Sequence, residues 1–144
     1  MNTWLLLSYK IPPKPTAGRV YVWRKLKRLG AILLHDAVWV LPSSPRTLEQ
    51  FQWLAAEIGE LGGEALVWES HPMMAAQDDA LVQQFVAQTN AAYEKIRMAL
   101  RRKGADPAAL SRQYQQVRAA DYFQSELGQQ VREALMAARG GNNS

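Results

Sequence analysis

Apolar residues fall in short runs over the first half of the chain and at helical spacing beyond it. Trp4-Leu5-Leu6-Leu7-Ser8-Tyr9 stops at Pro12-Pro13-Lys14-Pro15, residues that suit neither a central strand nor a helix interior, which predicts a buried strand and then a loop. A helix begins at Thr16 or Gly18 and reaches Leu29, with Gly30 as its C-terminal glycine and Val22, Trp23, Leu26 and Leu29 on its apolar face. Ala31 to Leu41 is rich in Ile, Leu, Val and Trp, yet is long for a strand and holds the polar pair His35-Asp36 at its centre. That predicts two short strands, or one bent strand with a bulge. Thr47 is expected to cap a second helix through Gly59 or Leu61, with Leu48, Phe51, Trp53, Leu54 and Ile58 supplying its apolar side. Gly62-Gly63 ends it, and Glu64 to Glu69 forms a last strand before His71-Pro72.

The order β-α-β-β-α-β over residues 1–72 predicts an α+β domain. It is the ferredoxin-like arrangement, a four-stranded antiparallel sheet with two helices on one face. From 73 to 144 the texture turns to Ala, Gln and charge, which predicts a helical extension packed on that domain. Asp78-Asp79 is expected to cap a long helix with Leu81, Phe85, Ala92, Ile96 and Leu100 on one stripe, ending at Gly104. Asp106-Pro107 caps the next, carrying Leu110, Tyr114 and Val117 and breaking near Asp121. A final helix holds Leu127, Val131 and Leu135, and Gly140-Gly141-Asn142-Asn143-Ser144 is expected to fray.

Charge sharpens this picture because it is segregated. Residues 1–35 hold seven basic groups and no acid, whereas residues 36–82 hold eight acids and only Arg46 as a base. A positive surface beside a negative one suits polyanions, anionic ligands or a self-complementary partner. The basic groups are Lys10, Lys14, Arg19, Arg24, Lys25, Lys27 and Arg28, four of them within two turns of the first helix and beside Tyr21 and Trp23. Two readings stand for that helix: phosphate contact with aromatic stacking, or a solvated face whose last cations complement the helix dipole. For a second cluster, Arg97, Arg101, Arg102 and Lys103, the dipole is the simpler account. Core packing is expected for most of the five tryptophans, with Trp4, Trp39 and Trp68 on strands and Trp23 and Trp53 on the apolar sides of the two helices.

Catalytic signals are sparse. There is no cysteine, which excludes disulfides, thiolate metal sites and thiol nucleophiles. His35 and Asp36, adjacent on an extended segment, point to opposite faces and would not support each other as base and orienting carboxylate. His35 and His71 lack metal-ligand spacing, and Gly62-Gly63 lacks the Lys-Ser/Thr of a phosphate loop. No apolar stretch reaches membrane length. A cytoplasmic, non-enzymatic protein without metal or cofactor is therefore expected.

One resemblance ties these signals together. Ser8-Tyr9-Lys10-Ile11-Pro12 with Lys14-Pro15-Thr16, the string RVYVWRKLKRLGA from Arg19 to Ala31, Val38-Trp39-Val40-Leu41-Pro42 and Gly62-Gly63-Glu64-Ala65 resemble the N-terminal domain of the chromate-resistance ChrB family. The likeness continues to Asp121-Tyr122-Phe123. It implies a bacterial cytoplasmic transcription regulator of a chromate efflux operon, with DNA and chromate or another oxyanion as partners. It makes Arg19, Arg24, Lys25, Lys27 and Arg28 the leading contacts. Fuller members carry a second, C-terminal domain, so the resemblance implies a stand-alone N-terminal module. A homodimer is expected from the sheet edges of such folds. The strand order also resembles the small CRISPR-adaptation nuclease and part of phenylacetate-type repressors. The nuclease's metal-binding aspartate at the end of the first strand has no counterpart in Tyr9-Lys10-Ile11, which disfavours that activity.

Overall fold

Strand β1 (Trp4–Lys10) is the pivot of the first unit, because it pairs on both sides and joins the last strand to the rest of the sheet. In the computed structural model, which describes residues 1–141, the order continues as α1 (Thr16–Leu29), β2 (Ile32–His35), β3 (Val38–Pro42), α2 (Pro45–Glu60) and β4 (Glu64–Ser70). Three helices follow: α3 (Ala75–Leu100), α4 (Pro107–Ala119) and α5 (Glu126–Gly141). The sheet order is β2-β3-β1-β4 with every pair antiparallel, the ferredoxin-like topology expected from the element order. The chain divides into two compact units, Met1–Asp79 and Ala80–Ser144.

In the first unit, register places Leu5 opposite Leu41 and Glu69, and Leu7 opposite Trp39 and Val67. Directly opposed residues share a sheet face. Leu5, Leu7, Trp39 and Leu41 are buried, together with Val22 and Leu26 of α1 and Phe51, Leu54 and Ile58 of α2. Helix α2 packs on β1 and β4 and touches α1. Apolar burial on this face supplies the main stabilisation.

Local chemistry sets the boundaries. Gly30 ends α1 at φ 79°, donating its N–H to the carbonyls of Leu26 and Lys27. The Ala31–Leu41 run resolves into two strands joined at Asp36-Ala37, with Asp36 at φ 47° and a register shift between Leu33 and His35. Helix α2 starts earlier than expected: Ser44 is the N-cap, followed by Pro45, and Thr47 is the third helical residue. Ser44 Oγ accepts from Thr47 N at 3.1 Å while Thr47 Oγ1 accepts from Ser44 N at 2.9 Å and donates to the Pro42 carbonyl at 2.6 Å.

Asp78 also departs from expectation. Helix α3 begins at Ala75, so Asp78 lies within its first turn instead of capping it. Its carboxylate is buried and accepts from Trp4 Nε1 at 2.8 Å and from the backbone and side-chain amides of Asn2 at 3.1 and 2.9 Å. The Trp4 indole, with the Asn2 donors, holds this carboxyl below its ordinary value of 3.8, against the opposing effect of burial.

The second unit has its own core. Tyr93 and Ile96 of α3, Leu110 and Tyr114 of α4, and Val131 and Leu135 of α5 form one buried cluster. The stripe expected on α3 runs through Phe85, Thr89, Tyr93 and Ile96, with Tyr93 taking the place assigned to Ala92. Asp106 caps α4 as expected, accepting from Ala108 N at 3.1 Å and Ala109 N at 3.3 Å. A Cβ on Gly128 would sit 2.7 Å from the Tyr93 ring, so glycine is what allows the start of α5 to approach that side chain. Helix α5 continues through Gly140 and Gly141, where fraying was expected. The remainder of that tail, residues 142–144, lies outside the described residues.

Two predictions follow from these contacts. A Cβ on Gly63 would lie 2.3 Å from the Lys10 carbonyl oxygen and 2.9 Å from Ile58 Cγ2. Gly63→Ala should therefore lower the urea-unfolding free energy by about 1–3 kcal/mol, the usual range for overpacking. The depressed Asp78 carboxyl contributes stability above its unfolded-state value that is lost as pH falls through the lower folded-state value. Thermal melts of Asp78→Asn should show a shallower loss of stability in that acid window, measured against the parent chain.

Candidate functional site

Helix α1 carries most of the predicted contacts, and its wheel divides them. Gly18, Val22 and Leu26 are buried and define the inner face. At roughly 100° per residue, Arg19, Trp23 and Lys27 fall on one flank, Arg24 at the crest, and Tyr21, Lys25 and Arg28 on the other. Arg19, Arg24, Lys27 and Arg28 are exposed, and Lys25 is half-buried.

The first flank opens onto a cleft of about 530 Å³ lined by Tyr9, Lys10, Ile11, Arg19, Val20, Trp23 and Ala37. Tyr9 N donates to the Ala37 carbonyl at 3.2 Å, which brings the β2–β3 turn against the end of β1 and closes one side. Two predicted contacts, Lys10 and Arg19, thus meet around one cleft although nine positions separate them in sequence. Trp23 forms a wall and is 52% exposed, which corrects its assignment to the core. Lys27 Nζ lies 6.0 Å from the centroid of the Trp23 ring, a cation–π geometry. Helix α1 has Pro15 as its N-cap, with no side-chain capping hydrogen bond and no acid in its first turn. The positive end of its dipole therefore adds to Arg19 instead of being offset, and the local field favours an anion.

The second flank is compensated. Tyr21 Oη donates to the Glu57 carboxylate of α2, and that hydrogen bond is the chief cause raising the Tyr21 phenol above its usual value; nearby Arg28 opposes the rise and Glu60 adds to it. Arg28 therefore works beside acids. Lys14 sits in the exposed loop before α1, next to a cis Lys14–Pro15 bond, and does not line the cleft.

The second unit holds a polar cavity that contains none of the predicted contacts. Tyr93, Tyr114, Arg118, Asp121, Ser125 and Gly128 are among the residues lining about 590 Å³. Tyr93 Oη donates to Asp121 Oδ2 at 2.8 Å, Ser125 N donates to both Asp121 oxygens at 3.1 Å, and Arg118 Nη1 donates to Tyr114 Oη at 3.0 Å. Burial, reinforced by Asp121, pushes the Tyr93 phenol well above its usual range. The signal available in the sequence was Tyr114 and Arg118 at helical spacing i, i+4; both tyrosines also satisfy the criteria for core residues. Among the described residues no group of three or more His, Asp or Glu is placed to hold a metal ion, and no helix is long and apolar enough to cross a membrane.

Comparison with known proteins bears on the same helix. The family model described as Protein ChrB, N-terminal, matches residues 19–99, from the cleft arginine through α3. The chain belongs to the ChrB N-terminal family. Protein ChrB of Cupriavidus metallidurans is 34% identical over 67 residues, covering 46% of this chain. The aligned stretch is 20% of that relative's length. No solved structure matches. The ChrB match takes in Arg19, Arg24, Lys25, Lys27 and Arg28, while Lys10 and Lys14 precede it.

Exposure of the tryptophans is directly testable. Trp23, Trp53 and Trp68 are 52%, 65% and 52% exposed, whereas Trp4 and Trp39 are 1% and 4%. Iodide should quench a major fraction of the tryptophan emission. Trp23→Phe should remove part of that accessible fraction, and Trp39→Phe should leave it intact.

Proposed function

We propose that this chain is a cytoplasmic regulatory module of chromate resistance that contacts DNA phosphates through the exposed cations of α1. The observation that carries the reading is the survival of Arg19, Arg24, Lys27 and Arg28 as exposed groups on a helix whose opposite face is buried. Cations spread over two to three turns of one rigid helix can follow a phosphate backbone, and the exposed Trp23 and Tyr21 offer flat surfaces beside it. Membership in the ChrB N-terminal family supports a regulatory role. No catalytic step is assigned.

A second reading has its own observation. Lys10 and Arg19 face one cleft walled by Trp23. Two cations lining one open cleft suit a small oxyanion, and its binding there would alter the charge α1 presents to DNA. In this reading chromate acts as the effector on the same helix that touches the operator.

Fluorescence anisotropy of a labelled duplex from the upstream region of the chain's own operon tests the first reading. Four phosphate contacts predict a log–log salt slope of about −4. Arg24→Glu with Arg28→Glu should abolish binding at moderate salt while preserving the circular dichroism spectrum; undiminished affinity would refute the reading. Calorimetry with chromate, sulfate and phosphate tests the second: Arg19→Met should remove any heat of binding, and absence of heat in the parent chain would remove the effector role.

A further inference from the structure

Strand β4 lies at one end of the sheet and pairs with β1 along its full length, so its other side is the sheet margin. An edge strand of seven residues is a template for further pairing unless something blunts it. Here the two central outward-facing positions, between Glu64 and Ser70, are apolar: Leu66 is 59% exposed and Trp68 52%. By register both lie on the face opposite Leu5 and Leu7, since Leu66 opposes Ser8 and Trp68 opposes Leu6. Trp68 Nε1 donates to Ser8 Oγ at 3.1 Å, which lays the indole toward β1 and fixes its orientation. A Leu–Trp pair presented in a held geometry at a sheet edge has the features of an interface.

We propose that the chain forms a two-fold homodimer by antiparallel pairing of β4 with β4 of a second copy, centred on Val67. The sequence of the strand, EALVWES, selects this occupant. About Val67, Leu66 of each copy falls opposite Trp68 of the other, Ala65 opposite Glu69, and Glu64 opposite Ser70. Both apolar residues are thereby matched and no carboxylate faces another. A shift of two residues either way sets Trp68 against Glu64 or Leu66 against Ser70, and a one-residue shift turns the apolar pair away from its counterpart. The contact is isologous, as a two-fold requires, and joins the sheets of the two copies into one. It requires nothing of the anion-binding face on α1.

The parent chain, measured by light scattering over a dilution series, should show a concentration-dependent doubling of mass. Leu66→Lys with Trp68→Lys should give the mass of one chain throughout, with an unchanged circular dichroism spectrum. Because the sequence contains no cysteine, Val67→Cys introduces a single thiol. Across the two-fold it meets its own counterpart at an antiparallel pair spacing of about 4.5–5.5 Å, within disulfide range. Mild oxidation should convert this variant to a covalent dimer. A parent chain of single mass at every concentration overturns the proposal, as does a dimer that survives the lysine pair or fails to cross-link through Val67→Cys. If the lysine pair unfolds the chain, the parent mass and the cross-link decide between these outcomes.

Discussion

The first unit depends on one strand having two neighbours. Strand β1 donates and accepts backbone hydrogen bonds toward β3 on one side and β4 on the other, and its Leu5 and Leu7 enter the core. Every other placement follows from that constraint. Helix α2 must cross from β3 to β4 over the inner face, and α1 must cross from β1 to β2 alongside it. The end of β1 is left beside the β2–β3 turn and the first turns of α1, which is where Lys10 and Arg19 meet.

Electrostatics then divide α1 along its length. Its buried stripe is narrow, so seven-tenths or so of its circumference remains available to polar and aromatic groups, a common result for a surface helix. One flank meets the acids of α2 through Tyr21 and Glu57, and the other borders the cleft. The basic segment and the acidic segment that follows it in sequence thus partly neutralise each other in space.

The element order, Gly30 as a helix stop and Asp106-Pro107 as a helix start were all legible in the sequence, because each is decided by local backbone chemistry. The strand order followed from element succession and the rule for crossover connections. Side-chain partners across the fold were not legible. Trp23 lies at the edge of the apolar arc of α1, where helical periodicity cannot distinguish a core residue from a wall of a cleft. Trp53 and Trp68 were misassigned for a related reason: residue type argues for burial, whereas the position on the wheel or the strand face decides it. Asp78 reads as a cap because its actual partners, Asn2 and Trp4, lie 76 and 74 positions away. The seven basic candidates were visible as a group, but only tertiary proximity separates Lys10 and Arg19 from Lys14 and Arg28.

The distance in sequence between Trp4 and Asp78 has a consequence for synthesis. Strand β1 leaves the ribosome before its partners, which are residues 38–42, then residues 64–70, and finally the carboxylate at 78. The apolar tetrapeptide Trp4-Leu5-Leu6-Leu7 therefore waits for nearly the whole unit to be translated before both its edges are satisfied. During that interval the nascent chain carries an open, strongly apolar strand, so vectorial folding of this domain is governed by its last segment to emerge.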